Sequence, residues 1–208
     1  MIKIGYIASG FDETDDFLRL VGLNVVNLTA NDLESGDLSK YDTIVMGIRA
    51  YLSRPDLINS NNRLLEYVKN GGNLVVQYNK AEDNWNPNLA PYPLKIGTPV
   101  INWRVTDEDS KVTLLKPDHR FFNYPNKIEE KDWENWVQDR AAYNPSEIGD
   151  NYERLISTGD PGEDEFTTTL ITTMYGEGTY TYSSLAWYRQ IPNLVPGAYR
   201  IFINLLHK

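Results

Sequence analysis

A doubly wound, mainly parallel α/β sheet with an antiparallel extension at its carboxyl end is the fold class that this sequence predicts. Three observations carry that expectation. The stretch from Tyr41 to Lys80 reads as strand, amphipathic helix, strand, and a βαβ unit of this kind makes its two strands parallel neighbours. Strand-like and helix-like segments alternate before it, from Lys3 onward. The turn Tyr175-Gly176-Glu177-Gly178-Thr179 sits between two strand-like runs, which is a hairpin signal rather than a crossover.

Taken in order, Lys3–Ala8 is the first strand and Asp15–Val21 a helix whose Phe17, Leu18 and Val21 share a face. Gly22 stops that helix, and Asn24–Leu28 is the second strand. Leu33–Lys40 reads as a polar connection. Asp42–Gly47 is a third strand, with Ile44, Val45 and Met46 apolar in succession, as expected of a strand buried on both faces. Asn62–Asn70 sets Leu64, Leu65 and Val68 on one helical stripe, and Gly71-Gly72 ends it, since glycine enters the left-handed region without steric cost. Asn73–Gln77 is the fourth strand. Ala81–Pro99 holds four prolines and no sustained period, so it reads as a long excursion over the sheet edge. Trp103–Thr106 and Val112–Leu115 are short strand candidates; Pro117–Phe122 is one helical turn opened by Pro117, and Glu129–Trp136 a short helix. Arg154–Ser157, Thr167–Tyr175 and Tyr180–Leu185 are strand-like, and Ala198–Leu206 is a helix with Tyr199, Phe202, Ile203 and Leu206 on one stripe.

Composition narrows the function classes. The 208 residues fit one domain spanning 1–208, which could be a segment of a longer exported protein. A formal charge of −9 argues against non-specific nucleic-acid binding, which needs clustered Lys and Arg on the phosphates. With no cysteine, the chain has no disulfide, thiol nucleophile or thiolate metal site, and the compartment stays undecided. No apolar run approaches the roughly 18 residues that span a bilayer, and MIKIGYIASG is not a signal peptide. No cofactor motif and no metal-ligand motif is expected. Gly176-Glu177-Gly178 lacks the Lys-Ser/Thr of a phosphate loop, and Ser183-Ser184 lacks a nucleophile elbow.

Ligands of open parallel sheets bind beyond the carboxyl ends of the strands. Those ends carry Arg49 and Tyr51 after the third strand, and Gln77, Tyr78 and Asn79 after the fourth. Trp103, Arg104, Trp136, Gln138, Arg140, Trp187, Arg189 and Gln190 are expected to approach from the later segments. Arg offers a planar fork, Asn and Gln paired donors and acceptors, and Trp and Tyr flat faces, a set suited to a sugar or a peptide. The same side chains could instead hydrogen-bond the long loop to the sheet edge. Asp118-His119 is the one His–carboxylate pair, an alternative acid/base, and Asp107-Glu108-Asp109 an alternative cation-binding turn.

The order of YDTIVMGIRAY, LLEYVKNGGNLVVQYN, LAPYPLKIG, RVTDEDSKVTLLKPDHRFFNYPNKI, WENWVQDRAAYNPSEI and the segment Tyr175–Leu206 resembles the class I glutamine amidotransferase-like fold. It resembles more closely the ThuA-like domains and the domain at the carboxyl end of some PIG-L/LmbE-type deacetylases. The resemblance covers nearly the whole chain, and it also marks what is missing. The turn that holds the amidotransferase cysteine reads Gln77-Tyr78-Asn79 here, and the place of its His-Glu pair reads Ser183-Ser184-Leu185-Ala186-Trp187. The deacetylase His-Pro-Asp-Asp zinc motif does not occur. The resemblance therefore implies a catalytically degenerate accessory domain, with a carbohydrate ligand or other domains of a parent N-acetyl-sugar deacetylase as partners. A hydrolase in its own right and a structural dimerisation module are the alternatives; ligand and oligomeric state are not legible in the sequence.

Overall fold

The computed structural model describes residues 2–208, and its sheet is the mixed α/β arrangement expected. Its elements are β1 (Lys3–Ile7), α1 (Thr14–Leu20), β2 (Asn24–Asn27), α2 (Ala30–Ser35), β3 (Thr43–Met46), α3 (Ala50–Ser53), α4 (Asp56–Lys69) and β4 (Asn73–Gln77). They continue with β5 (Leu94–Ile96), β6 (Val112–Leu114), β7 (Pro145–Ile148), β8 (Glu153–Arg154), β9 (Ile156–Thr158), β10 (Leu170–Tyr175), β11 (Gly178–Ser183), α5 (Trp187–Gln190) and α6 (Pro196–Leu205). Seven strands form the main sheet in the order β2-β1-β3-β4-β11-β10-β8. The first five run parallel, and β10 and β8 close the far side antiparallel. Two small antiparallel pairs, β5 with β7 and β6 with β9, lie outside it.

Side-chain alternation along the strands feeds two cores. Ile44, Met46, Leu74 and Val76 face Leu33 of α2 and Leu57, Leu64 and Val68 of α4. Val45, Val75, Ile4 and Tyr6 face the other way, onto Leu18 of α1 and Ile201, Phe202 and Leu205 of α6, with Trp133, Trp136 and Trp187 completing that side. Burial on both faces is why the central strands read as unbroken apolar runs. The stop after α4 has the anticipated chemistry: Gly71 has φ 97°, and the Gly71 and Gly72 amides return to the Val68 and Tyr67 carbonyls at 2.9 and 2.8 Å.

Several local expectations are corrected. The Leu33–Lys40 region is not connection throughout: its first residues, Leu33–Ser35, close a helix, α2. Thr29 and Asp32 form a reciprocal capping box, and Leu33 is the helix's one buried anchor, too little for an apolar period to show. Helix α4 starts at Asp56, since the apolar Leu57 and the polar Ser60 and Asn61 extend its buried face. Trp103–Thr106 is not a strand; only Val105 bridges, to Ala141. The turn after Pro117 is a 3-10 helix over Arg120–Phe122, with His119 as its cap, and Glu130–Trp133 is likewise 3-10 rather than α.

The hairpin between β10 and β11 packs directly on the end of α4. The Glu177 amide donates to the Lys69 carbonyl at 2.9 Å and the Thr179 amide to the Gly72 carbonyl at 3.0 Å. A methyl on Gly178 would overlap the Val68 and Gly72 carbonyl oxygens, which are backbone and cannot swing aside. Gly178→Ala is therefore expected to destabilise the protein by about 3 kcal/mol, at the upper end for overpacking, read as a lower urea midpoint with unchanged m.

Candidate functional site

At the carboxyl edge of the sheet, three loops are tied together by buried polar groups. Gln77 Nε2 donates to the Tyr6 hydroxyl at 3.0 Å, and that hydroxyl donates to Asp12 at 2.7 Å. The other Asp12 oxygen accepts the Ile48 amide at 2.9 Å, after β3. Burial, and then the Asp12 charge, push the Tyr6 phenol well above its ordinary pKa, so it stays a donor. Asn79 accepts the Tyr51 amide at 3.2 Å, while its own amide donates to the Tyr182 hydroxyl at 3.0 Å. Gln77, Asn79 and Tyr51 are buried, with the Tyr51 hydroxyl bonded to Asn61 at 2.7 Å.

Arg49 occupies the left-handed region at φ 53°, unusual for a side chain with a Cβ. Its guanidinium forks onto Asp83, with 2.9 Å from Nε and 2.7 Å from Nη2, and Asp83 is fully buried. Asp83 also accepts the Lys80 amide at 2.8 Å, so one carboxylate orders both the turn after β3 and the loop after β4. The outer side of this pair is lined by aromatic rings. Phe11 lies under the Arg49 guanidinium at 5.1 Å, and Lys80 lies over Tyr143 at 5.1 Å. Tyr78 packs between Tyr143 and Tyr188, at ring distances of 4.7 and 5.7 Å. Arg189 donates to the Tyr188 hydroxyl at 2.9 Å and stays exposed. Burial pushes the Tyr78 phenol far above the ordinary tyrosine range, which removes the phenolate a nucleophile would need.

The expected residues thus divide into groups. Arg49, Tyr51, Gln77 and Asn79 meet at the β3 and β4 ends, and Arg189 reaches them through Tyr188. Trp136, Arg140, Trp187 and Gln190 belong to the core beside α6. Trp136 stacks on Trp133 at 5.6 Å and meets Trp187 at 5.5 Å, and Gln190 holds the Val137 amide at 2.8 Å. Gln138 is exposed on the same segment. Trp103 and Arg104 lie elsewhere: Trp103 covers Gly97 and packs on Phe166 at 5.6 Å. Asp83, Asp12, Phe11, Tyr143 and Tyr188 are the edge residues that sequence reasoning missed. Asp83 follows Lys80 by three positions, a spacing that marks a side-chain-capped turn; Tyr143 and Tyr188 carry no such signal.

His119 lies at the opposite end of the sheet. Its neighbour Arg120 donates to the His207 carbonyl, and the adjoining Leu206 carbonyl accepts from Thr43, the first residue of β3, at 2.7 Å. His119 Nδ1 accepts the Phe121 amide at 3.2 Å and its ring packs on Phe121, while Asp118 is exposed. Among the described residues no three His, Asp or Glu side chains gather as a metal-ligand group, and no helix is long and apolar enough to cross a membrane. Asp160, not the acidic turn itself, organises Asp107–Ser110. Burial alone would raise its pKa, but hydrogen bonds from Thr106, Asp107 and Ser110 outweigh that and hold the carboxyl below its usual range.

No protein-family model matches this chain, and no curated protein matches it significantly. Solved structures do. The cytoplasmic protein STM3548 from Salmonella typhimurium superposes with a TM-score of 0.62 at 17% identity, over 99% of this chain and 98% of that one. STM1381 from Salmonella typhimurium LT2 gives 0.55 at 17%, over 99% and 98%. The cold-adapted β-galactosidase from Rahnella sp. R3 gives 0.58 at 18%, over 99% of this chain but 31% of that one. At these identities the likeness is one of fold: a mainly parallel α/β domain that makes up nearly all of some chains and a minor part of another.

Two outcomes follow from the electrostatics of these groups, one at the site and one at the opposite end of the sheet. Arg49→Ala strands the buried Asp83 carboxylate and is expected to cost about 3 kcal/mol, with Asp83→Leu in the same chain restoring part of it, by chemical denaturation. Burial depresses the His119 pKa, so the unfolded chain takes up the proton first. The histidine term leaves stability intact above the unfolded value of about 6.5 and erodes it as pH falls through that value. Denaturation midpoints at pH 7.5 and 5.5 should therefore differ less in His119→Asn than in the unaltered protein.

Proposed function

We propose that this chain is a catalytically degenerate amidotransferase-like accessory domain that presents the Phe11–Arg49–Lys80–Tyr188 face to a carbohydrate, in the service of an enzyme acting on N-acetylated sugars. One observation carries the reading. In the turn after β4, where the resembled amidotransferases hold their nucleophile, Gln77 and Asn79 are fully buried in structural hydrogen bonds and Tyr78 is packed between two tyrosines. The scaffold's reactive turn has become a strut, and what it leaves outside is a rim of cations and aromatic rings. Arg and Lys donors beside Tyr faces suit a polyol ring, which offers oxygens at its edge and C–H groups on its face. The recurrence of the fold as 31% of a β-galactosidase chain supports an accessory role beside a carbohydrate-acting centre.

Calorimetric titration of the full chain with N-acetylglucosamine and its short oligomers tests this. Binding is expected, and Tyr188→Ala should weaken it roughly fivefold by removing about 1 kcal/mol of aromatic contact, without loss of fold. Absence of binding by every N-acetylated sugar rejects the carbohydrate assignment, and turnover of any of them by the chain alone rejects the degenerate one.

A further inference from the structure

Away from that face, a fully buried arginine has no counter-charge within ion-pair distance. Arg140 is almost fully buried, 1% exposed, in the core beside α6. Its guanidinium lies over the Trp136 ring at 4.8 Å and the Trp133 ring at 6.0 Å. Nη1 donates to the Trp133 carbonyl at 3.0 Å and Nη2 to the Ser110 carbonyl at 3.1 Å. A guanidinium has five N–H donors, so most of this one's capacity is unused, and Nε is buried with no partner at all. Among the described residues no carboxylate oxygen lies within 4.0 Å of it. A buried cation held by two neutral carbonyls and two indole faces, with no ion-pair partner, is costly, and burial pushes its pKa down to about 10 against the opposing pull of Asp109, Asp107 and Glu108.

Arg140 lines a cavity of about 220 Å3, between the segment that carries Lys111 and the turn of Glu130, Trp133 and Glu134. Arg140 and Trp133 form its inner wall, buried, while Asp109, Lys111, Glu130 and Glu134 are exposed at its mouth. Three carboxylates against two cations leave the lining at net −1. A free anion would satisfy Arg140 but would meet a mouth of its own sign. A ligand carrying both charges meets neither objection. We propose that this cavity is a binding site for a small zwitterion, a free α-amino acid, with its carboxylate on Arg140 and its ammonium toward Asp109, Glu130 and Glu134. The carboxylate supplies the missing counter-charge by a charge-assisted hydrogen bond. The ammonium is held at the mouth by carboxylates, with the Trp133 face beside it. The site shares no residue with the Arg49–Tyr188 face, so either assignment can fail without the other.

Thermal-shift and calorimetric titration of the full chain against the free amino acids test it, with sodium acetate and ammonium chloride at matched ionic strength as single-charge probes. At least one amino acid is expected to raise the melting temperature in a concentration-dependent way, as any binder of the native state must. Arg140→Met should weaken that binding on the order of tenfold or more, because the ligand's carboxylate then has no charged donor. Glu134→Gln, an exposed change that leaves the core intact, should weaken it several-fold and keeps the test valid if Arg140→Met does not fold. No shift with any amino acid overturns the proposal. So does an equal shift with acetate alone, or amino-acid binding that survives both substitutions.

Discussion

One chain of buried hydrogen bonds holds the carboxyl edge of this sheet together: Gln77 to Tyr6, Tyr6 to Asp12, Asp12 to the Ile48 amide. It crosses from β4 to β1 and returns to the end of β3, so it ties three strand ends together and supplies the Ile48 amide with a partner. Parallel strands are joined only by long crossovers, and no hairpin geometry sets how their carboxyl ends stand relative to one another. Buried polar side chains do that work here. Since an unmet buried donor or acceptor costs more than a made one gains, the network acts chiefly by excluding other arrangements of those loops.

Arg49 and Asp83 extend the same logic outward. The arginine takes a left-handed backbone conformation, a strained choice that persists because Asp83 grips its fork and at the same time caps the Lys80 turn. The ion pair is weak evidence for stability as such, since desolvating Asp83 offsets much of the attraction. Its consequence is geometric. It ties the turn after β3 to the loop after β4, so bonds within the chain cross the place where a parallel sheet would ordinarily receive a ligand.

Where the sequence was legible, burial was two-sided or the punctuation was glycine. Strands β3 and β4 and the β10–β11 hairpin show as apolar runs and a Gly-Glu-Gly turn, since those signals are local. Helix α2 did not show, because a capping box plus Leu33 suffices for a helix that packs on α4. For the site residues the division runs by chemistry rather than by position. Their polar and aromatic types were readable, but Gln77 and Gln190 satisfy backbone or buried groups just as a ligand would be satisfied, and only coordinates separate the two uses. Asp83 was hidden because its partner lies 34 residues away.

The contrast between Arg49 and Arg140 shows what the two halves of the edge are built to do. Both guanidiniums lie against aromatic rings, and both belong to loops beyond the sheet's carboxyl ends. Arg49 is about a quarter exposed, and water could serve its charge, yet it has a dedicated carboxylate; Arg140, shut away from water, has none. If burial alone governed pairing, the assignment would be reversed, since desolvation penalises Arg140 far more. The first pair is explained by loop geometry, which it fixes. The second finds no such account within the chain: the Trp133 and Ser110 carbonyls could be capped by any neutral donor, and a methionine would fill the space between the indoles without carrying a charge. A guanidinium kept there, at the inner wall of a cavity and with unspent donors, fits the proposed receptor for charge from outside the chain.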